Sequence, residues 1–160
     1  MSEKLIYTIG TSNRSIDEFI EILEKYRIKT AIDVRSFPQS KKFPHFNSER
    51  LIETLEKEGI RYVSLGKELG GFRKGGYENY TKTEEFAKGI EKLEEIAGRS
   101  LSVFLCAEKL FFRCHRRFIS EVLTKRGWKV LHIVEKERIY EHKKAVLEQK
   151  SIEFERLNGY

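Results

Sequence analysis

The sequence predicts an α/β fold: a single three-layer domain with a mostly parallel five-stranded sheet and helices on both faces. Three observations predict it. Short β-branched and aromatic runs alternate with helical patterns from one end of the chain to the other, as successive right-handed crossovers require. The length, 160 residues, fits one compact unit, since domains most often run to about 100–150 residues. Finally, 39 % hydrophobic residues with 11 Phe and 7 Tyr can build a core, while only 2 Pro and 11 Gly argue against a disordered or fibrous chain.

Leu5-Ile6-Tyr7-Thr8-Ile9 reads as the first strand, stopped by Gly10. Ser15-Ile16-Asp17-Glu18 then opens a helix with capping-box chemistry, and Ile16, Phe19, Ile20, Leu23 and Tyr26 share one helical face. Lys29 to Val34 is the second strand. A loop holding both prolines, Ser36 to Phe46, leads to a helix near Asn47 or Ser48 that carries Leu51, Ile52 and Leu55 and ends at Gly59. Arg61 to Leu65 is the third strand, followed by a Gly-rich loop from Gly66 to Asn79. Thr81-Lys82-Thr83-Glu84 forms a second capping box before a helix bearing Phe86, Ile90, Leu93 and Ile96.

Leu101 to Leu105 is the most apolar strand and therefore belongs at the sheet centre. A helix from about Cys114 to Lys125 stops at Gly127, and Lys129 to Val134 is the fifth strand. From Glu135 to Arg156 charge is dense, with Ile139, Tyr140, Val146, Leu147, Ile152 and Phe154 interspersed. That pattern predicts one or two helices, so residues 135–160 are expected to be a charged helical extension of the single domain 1–160, and a candidate contact with a second copy.

Composition narrows the function classes. Lys plus Arg number 31 against 25 Asp plus Glu, a net +6, which points to an anionic partner such as a phosphate ester or nucleic acid. A charged fraction of 35 % with 1 Met and 2 Cys is the composition of heat-adapted proteins. Met1 to Tyr7 has no apolar stretch of signal-peptide length, and no window approaches a transmembrane span. Two cysteines cannot form a disulfide framework. The expectation is a cytoplasmic protein with reduced thiols and no membrane partner.

In such a fold ligands bind outside the carboxyl ends of the strands, and the unusual residues of the chain fall there. Cys106-Ala107-Glu108, followed by Cys114-His115-Arg116, is the strongest constellation. A Cys at a helix N-terminus beside His and Arg has its thiolate favoured by dipole and charge. Cys106, Glu108, Cys114 and His115 are therefore the candidate catalytic residues. The plainer alternative makes Cys106 a small hydrophobe finishing a buried strand. Arg35, Arg73 and Arg116 are candidate anion ligands, with Ser12, Asn13 and His45 completing the binding set. Asp33 and Arg35 point to one face by alternation, and a structural ion pair explains them equally well.

Seven residues between the cysteines is not a zinc-finger spacing, so neither metal nor cofactor is expected. Rhodanese and phosphatase loops also end a strand in Cys and begin a helix with Arg, but they need five intervening residues for both to hold one anion. Here six separate Cys106 from Arg113 and nine separate it from Arg116. From Lys41 to Tyr80, Lys41, Lys42, Arg50, Lys67, Arg73 and Lys74 interleave with Phe43, Phe46, Phe72, Tyr77 and Tyr80. Such a surface suits unpaired nucleic acid or a flipped base, or else forms a lid over the site.

Several segments together resemble the domain-of-unknown-function 488 family across nearly the whole chain. They are Tyr7 to Ser15, Asp33 to Pro38, Pro44 to Asn47, Leu69-Gly70-Gly71, Cys106-Ala107-Glu108 and Cys114-His115-Arg116. The resemblance implies an α/β fold and a common site, and no particular reaction.

The first functional expectation is hydrolysis or group transfer on a nucleotide or modified base. Glu108 or His115 would be its acid or base, and Cys106 or Cys114 its nucleophile. The alternatives are a thiol enzyme of the sulfur-transfer kind and a non-enzymatic anion- or nucleic-acid-binding module.

Overall fold

The computed structural model describes residues 3–143. Its strands are β1 (Leu5–Gly10), β2 (Thr30–Asp33), β3 (Arg61–Ser64), β4 (Ser102–Cys106), β5 (Lys129–Glu135) and β6 (Arg138–Glu141). Its helices are α1 (Ile16–Lys25), α2 (Ser48–Lys57), α3 (Gly66–Leu69), α4 (Tyr77–Tyr80), α5 (Glu84–Arg99) and α6 (Arg116–Lys125), with 3-10 turns at Pro44–Phe46 and Phe111–Arg113. One sheet holds the strands in the order β3-β2-β4-β1-β5-β6. Its first five members in chain order are parallel, and β6 runs antiparallel beside β5.

Alternation divides the core into two layers. Ile6, Ile32, Phe104, Cys106 and Val130 face α5 and α6, packing on Phe86, Ile90, Ile119 and Leu123. Ile9, Ala31, Val103, Leu105 and Ile133 face α1 and α2, packing on Phe19, Leu23, Leu51 and Leu55. β4 is buried at every position and lies between β2 and β1, as its unbroken apolar run predicts. Ser15 caps α1 by accepting the Glu18 N–H at 3.1 Å. For α5 the cap is Thr83, which accepts from Phe86 N–H at 3.2 Å.

Two expectations are corrected. The sheet has a sixth strand, and residues 138–141 are that strand and not the start of a helix. β5 and β6 join through Lys136 and Glu137, neither of which takes positive φ. The register shifts between Ile133 and Glu135. A bulge therefore supplies the twist that an Asn-Gly or Asp-Gly turn usually gives, so no turn signal marks the hairpin. The loop from Gly66 to Asn79 also contains two helical turns, α3 and α4. The rest of the expected terminal extension, residues 144–160, lies outside the described residues.

Candidate active site: a dithiol corner at the carboxyl edge

β1, β2 and β4 end side by side, and the segment after β4 folds across their ends before entering α6. The crossing is close. A Cβ at Gly10 would lie 1.8 Å from the Glu108 carbonyl oxygen, so only glycine lets β1 end beneath that turn. Thr11 and Ser12 N–H groups then donate to the Cys106 and Ala107 carbonyls at 2.8 and 2.9 Å. The 3-10 turn Phe111–Arg113 loops the chain outward and returns Cys114 to face Cys106. Their Sγ atoms stand 3.2 Å apart.

Cys114 precedes α6 by two residues, and its sulfur accepts the Arg116 backbone N–H at 3.3 Å. The Arg116 guanidinium is fully buried. Its Nε donates to Cys106 Sγ at 3.0 Å, one Nη to Thr8 Oγ1 at 2.9 Å, and the other to the Glu108 and Lys109 carbonyls at 2.5 and 3.3 Å. Looping out the turn brings Cys106 and Arg116 into contact despite the nine residues between them.

The two thiols are driven apart electrically. Burial raises the Cys106 thiol well above its ordinary value, and proton donation to Cys114 adds to this against the pull of Arg116. Burial also opposes ionisation of Cys114, but the Cys106 hydrogen bond, Arg116 and His115 outweigh it and hold that thiol well below its usual range. These influences favour a Cys106 thiol beside a Cys114 thiolate, with the Arg116 guanidinium against Cys106 and its backbone N–H against Cys114.

Arg116 is held from behind by a polar chain. Thr8 Oγ1 lies 2.6 Å from His132 Nδ1, His132 Nε2 lies 2.9 Å from His142 Nδ1, and His142 Nε2 lies 2.9 Å from Glu121 Oε2. With both imidazoles neutral the Glu121 end sets its direction, since a carboxylate only accepts and each neutral ring donates from one nitrogen and accepts at the other. Thr8 therefore donates to His132, His132 to His142, and His142 to Glu121. Burial, each ring's own partners and nearby arginines act on them, and both rings titrate below the ordinary imidazole value. The shift is larger at His132, where burial is joined by His142 and Arg116. Phe111 stacks on His132 with ring centroids 3.6 Å apart.

Above the sulfurs lies a cavity of about 570 Å³ lined by Cys106, Glu108, Cys114, His115 and Arg35 together with Arg113 and Arg117. His115 Nε2 donates to the Val34 carbonyl at 2.7 Å, since a carbonyl oxygen can only accept. A Cβ at Gly71 would come within 2.7 Å of the ring's Nδ1, so the Leu69-Gly70-Gly71 turn is shaped to pass over His115. The Glu108 carboxylate accepts the Leu110 N–H at 3.3 Å and braces the turn. At the cavity mouth, Ser36 Oγ accepts the Phe72 N–H at 2.9 Å. Phe37 and Phe72 stand there 69 % and 78 % exposed, with centroids 5.3 Å apart.

The remaining candidates separate. Ser12 and Asn13 line a neighbouring cavity of about 380 Å³ that shares Arg35, Phe37 and Ala107 with the first. Arg35 reaches both cavities, yet its guanidinium is bonded to both Asp33 oxygens at 2.9 and 2.7 Å and to the Phe46 carbonyl at 2.8 Å. Arg116 lies beneath the cavity with every nitrogen engaged. His45 bonds the Arg14 carbonyl at 2.8 Å. Arg73 bonds the Gly70 and Lys67 carbonyls at 2.9 and 2.6 Å and covers the Tyr80 ring. Neither of these two lines the cavities. Sequence reasoning missed Thr8, His132, His142 and Glu121. The available signal was two polar residues, Thr8 and His132, inside otherwise apolar strands. Among the described residues no cluster of three or more His, Cys, Asp or Glu side chains is arranged to hold a metal, and no helix is long and apolar enough to cross a membrane.

Fold and site together define an α/β protein with a dithiol, one thiol buried and one half-buried, at the carboxyl edge of its sheet, organised by an arginine. The chain belongs to the family described as Domain of unknown function DUF488, whose sequence profile matches residues 15–123. That span takes in the dithiol, Arg116, Asp33, Arg35 and Glu121; Thr8, His132 and His142 fall outside it. No curated protein and no solved structure matches the chain.

Proposed function

We propose that this protein is a thiol-dependent enzyme in which Cys114 attacks a small anionic substrate held in the 570 Å³ cavity. The observation that carries this reading is the placement of the Cys114 sulfur. It lines the cavity, stands 3.2 Å from Cys106 Sγ and accepts the Arg116 N–H at 3.3 Å, and such surroundings favour the thiolate over the thiol. Arg113 and Arg117 on the same wall favour a substrate with negative charge, and the net +6 agrees. Group transfer through a covalent Cys114 adduct is the reaction class. Alkylation by iodoacetamide across pH tests it. Cys114 should react well below the ordinary thiol pKa of about 8.5 and Cys114→Ser should be silent there; two thiols inert up to about that pH would remove the reading.

A nucleotide or single-stranded nucleic acid is a second reading of the ligand, favoured by the exposed Phe37 and Phe72 rings at the mouth. Bare aromatic faces beside cationic residues suit base stacking. Labelled single-stranded and base-modified oligonucleotides should bind at low salt, and Phe37→Ala with Phe72→Ala should weaken them by about tenfold or more, since stacking contributes roughly 1–3 kcal/mol per base. No binding by the wild type discards it. The high charge content also supports heat adaptation, which a thermal midpoint above about 90 °C would bear out.

A further inference from the structure

The geometry points to Cys106 as a resolving thiol, so that the substrate class is a small-molecule disulfide which the pair reduces. This rests on Cys114 being the nucleophile. The Cys106 sulfur is already in contact with Cys114 at 3.2 Å, and a disulfide bond of about 2.0 Å needs only about 1 Å of further approach. Cys106 ends the central strand β4, and Cys114 sits on the loop between the 3-10 turn and α6, outside both elements. Both sulfurs line one cavity, so an adduct on Cys114 forms beside its second attacker. Arg116 Nε, 3.0 Å from Cys106 Sγ, stabilises negative charge on Cys106 as its proton leaves.

The step balances without any other oxidant. The Cys114 thiolate attacks one sulfur of R–S–S–R′, forming Cys114–S–S–R and expelling R′–S⁻. Cys106 then attacks Cys114 Sγ, forming the Cys106–Cys114 disulfide and breaking the bond to R. The departing R–S⁻ takes the proton that Cys106 gives up. Two electrons pass from the protein thiols to the substrate, and an external dithiol reductant restores the pair.

The probe is 5,5′-dithiobis(2-nitrobenzoate), an aromatic anionic disulfide, added in slight excess to the reduced full-length chain. The wild type should release two equivalents of the coloured thiolate and retain no adduct, its intact mass falling by two hydrogens. Cys106→Ser and, as an independent variant, Cys106→Ala should release one equivalent and keep a single adduct on Cys114. A wild type that keeps its adduct on Cys114 overturns the resolving role and leaves the nucleophile reading standing. A wild type with no reaction at Cys114 overturns both.

Discussion

Among the arginines buried at this sheet edge, Arg35 and Arg116 are held in opposite ways. Arg35 is 6 % exposed and paired with the fully buried Asp33, whose second oxygen also accepts the Tyr62 hydroxyl at 2.6 Å. Its charge is cancelled where it sits, and burial is outweighed by Asp33, so the guanidinium stays protonated. Among the described residues no carboxylate stands against Arg116. Its partners are a sulfur, a hydroxyl and two carbonyls, and its charge is balanced by the thiolate it helps to create. A cation matched by a permanent anion is architecture. A cation matched by an anion whose ionisation it helps to favour is a device for tuning a thiol.

The contrast is broken most forcefully by removing one group from each corner. Asp33→Ala strands a buried cation and should cost about 3–5 kcal/mol in denaturant unfolding, while the pH at which Cys114 alkylates stays put. Arg116→Met should do the reverse to the chemistry. Losing the guanidinium should lower the Cys114 alkylation rate near neutral pH by about tenfold, a rise of about one unit in the thiol pKa. Arg116→Lys keeps the charge without the planar fork and should restore only part of the rate. A Cys114 profile that moves with Asp33→Ala and not with Arg116→Met would reverse the assignment of the two corners.

Much of this was legible in the sequence, and the boundary has physical causes. Strand alternation and helix caps are local, so β1 to β5, α1, α2, α5 and α6 emerge close to their observed limits, and Cys106, Glu108, Cys114 and His115 are placed at one edge by topology alone. Which arginine touches what is not local. Arg116 reaches Cys106 because a 3-10 turn loops out between them, and spacing taken as an extended count says otherwise. Thr8 and His132 pair across two strands far apart in the chain, and a polar residue in an apolar strand does not announce its partner. β6 escaped because its turn uses Lys136 and Glu137 without positive φ. Arg73 and His45 looked like ligands because basic and aromatic residues are what ligand sites use; both are consumed by backbone carbonyls, Arg73 within its own loop and His45 at Arg14.

The polar chain behind Arg116 sharpens the comparison at a smaller scale, because Asp33, Arg35 and Tyr62 include no imidazole. Both His132 and His142 titrate below their unfolded value in the folded chain. Between the folded and unfolded values the unfolded state binds more protons, so stability is fully present above about pH 6.5 and is lost as pH falls below it. Each ring contributes up to about 1.4 kcal/mol per pH unit. Urea unfolding from pH 5 to pH 8 should show that rise, and His132→Asn should flatten its share. A wild-type profile that is flat over this range would mean that a ring in the chain is charged, and the donor order from Arg116 to Glu121 would be wrong.

The smallest effect belongs to the Arg35 corner and tests whether that corner is architecture alone. Tyr62→Phe removes one of the donors to Asp33 and leaves the bidentate arginine in place. Tyr62 is half-buried, so water can replace its hydroxyl, and the cost should be about 1 kcal/mol. Burial, Asp33 and the shared hydrogen bond push the phenol above its ordinary value, so it carries no charge near neutral pH for the thiols to sense. Cys114 alkylation in Tyr62→Phe should therefore superimpose on the wild type at every pH. A displaced profile would show that the two arginine corners communicate through the cavity wall they share.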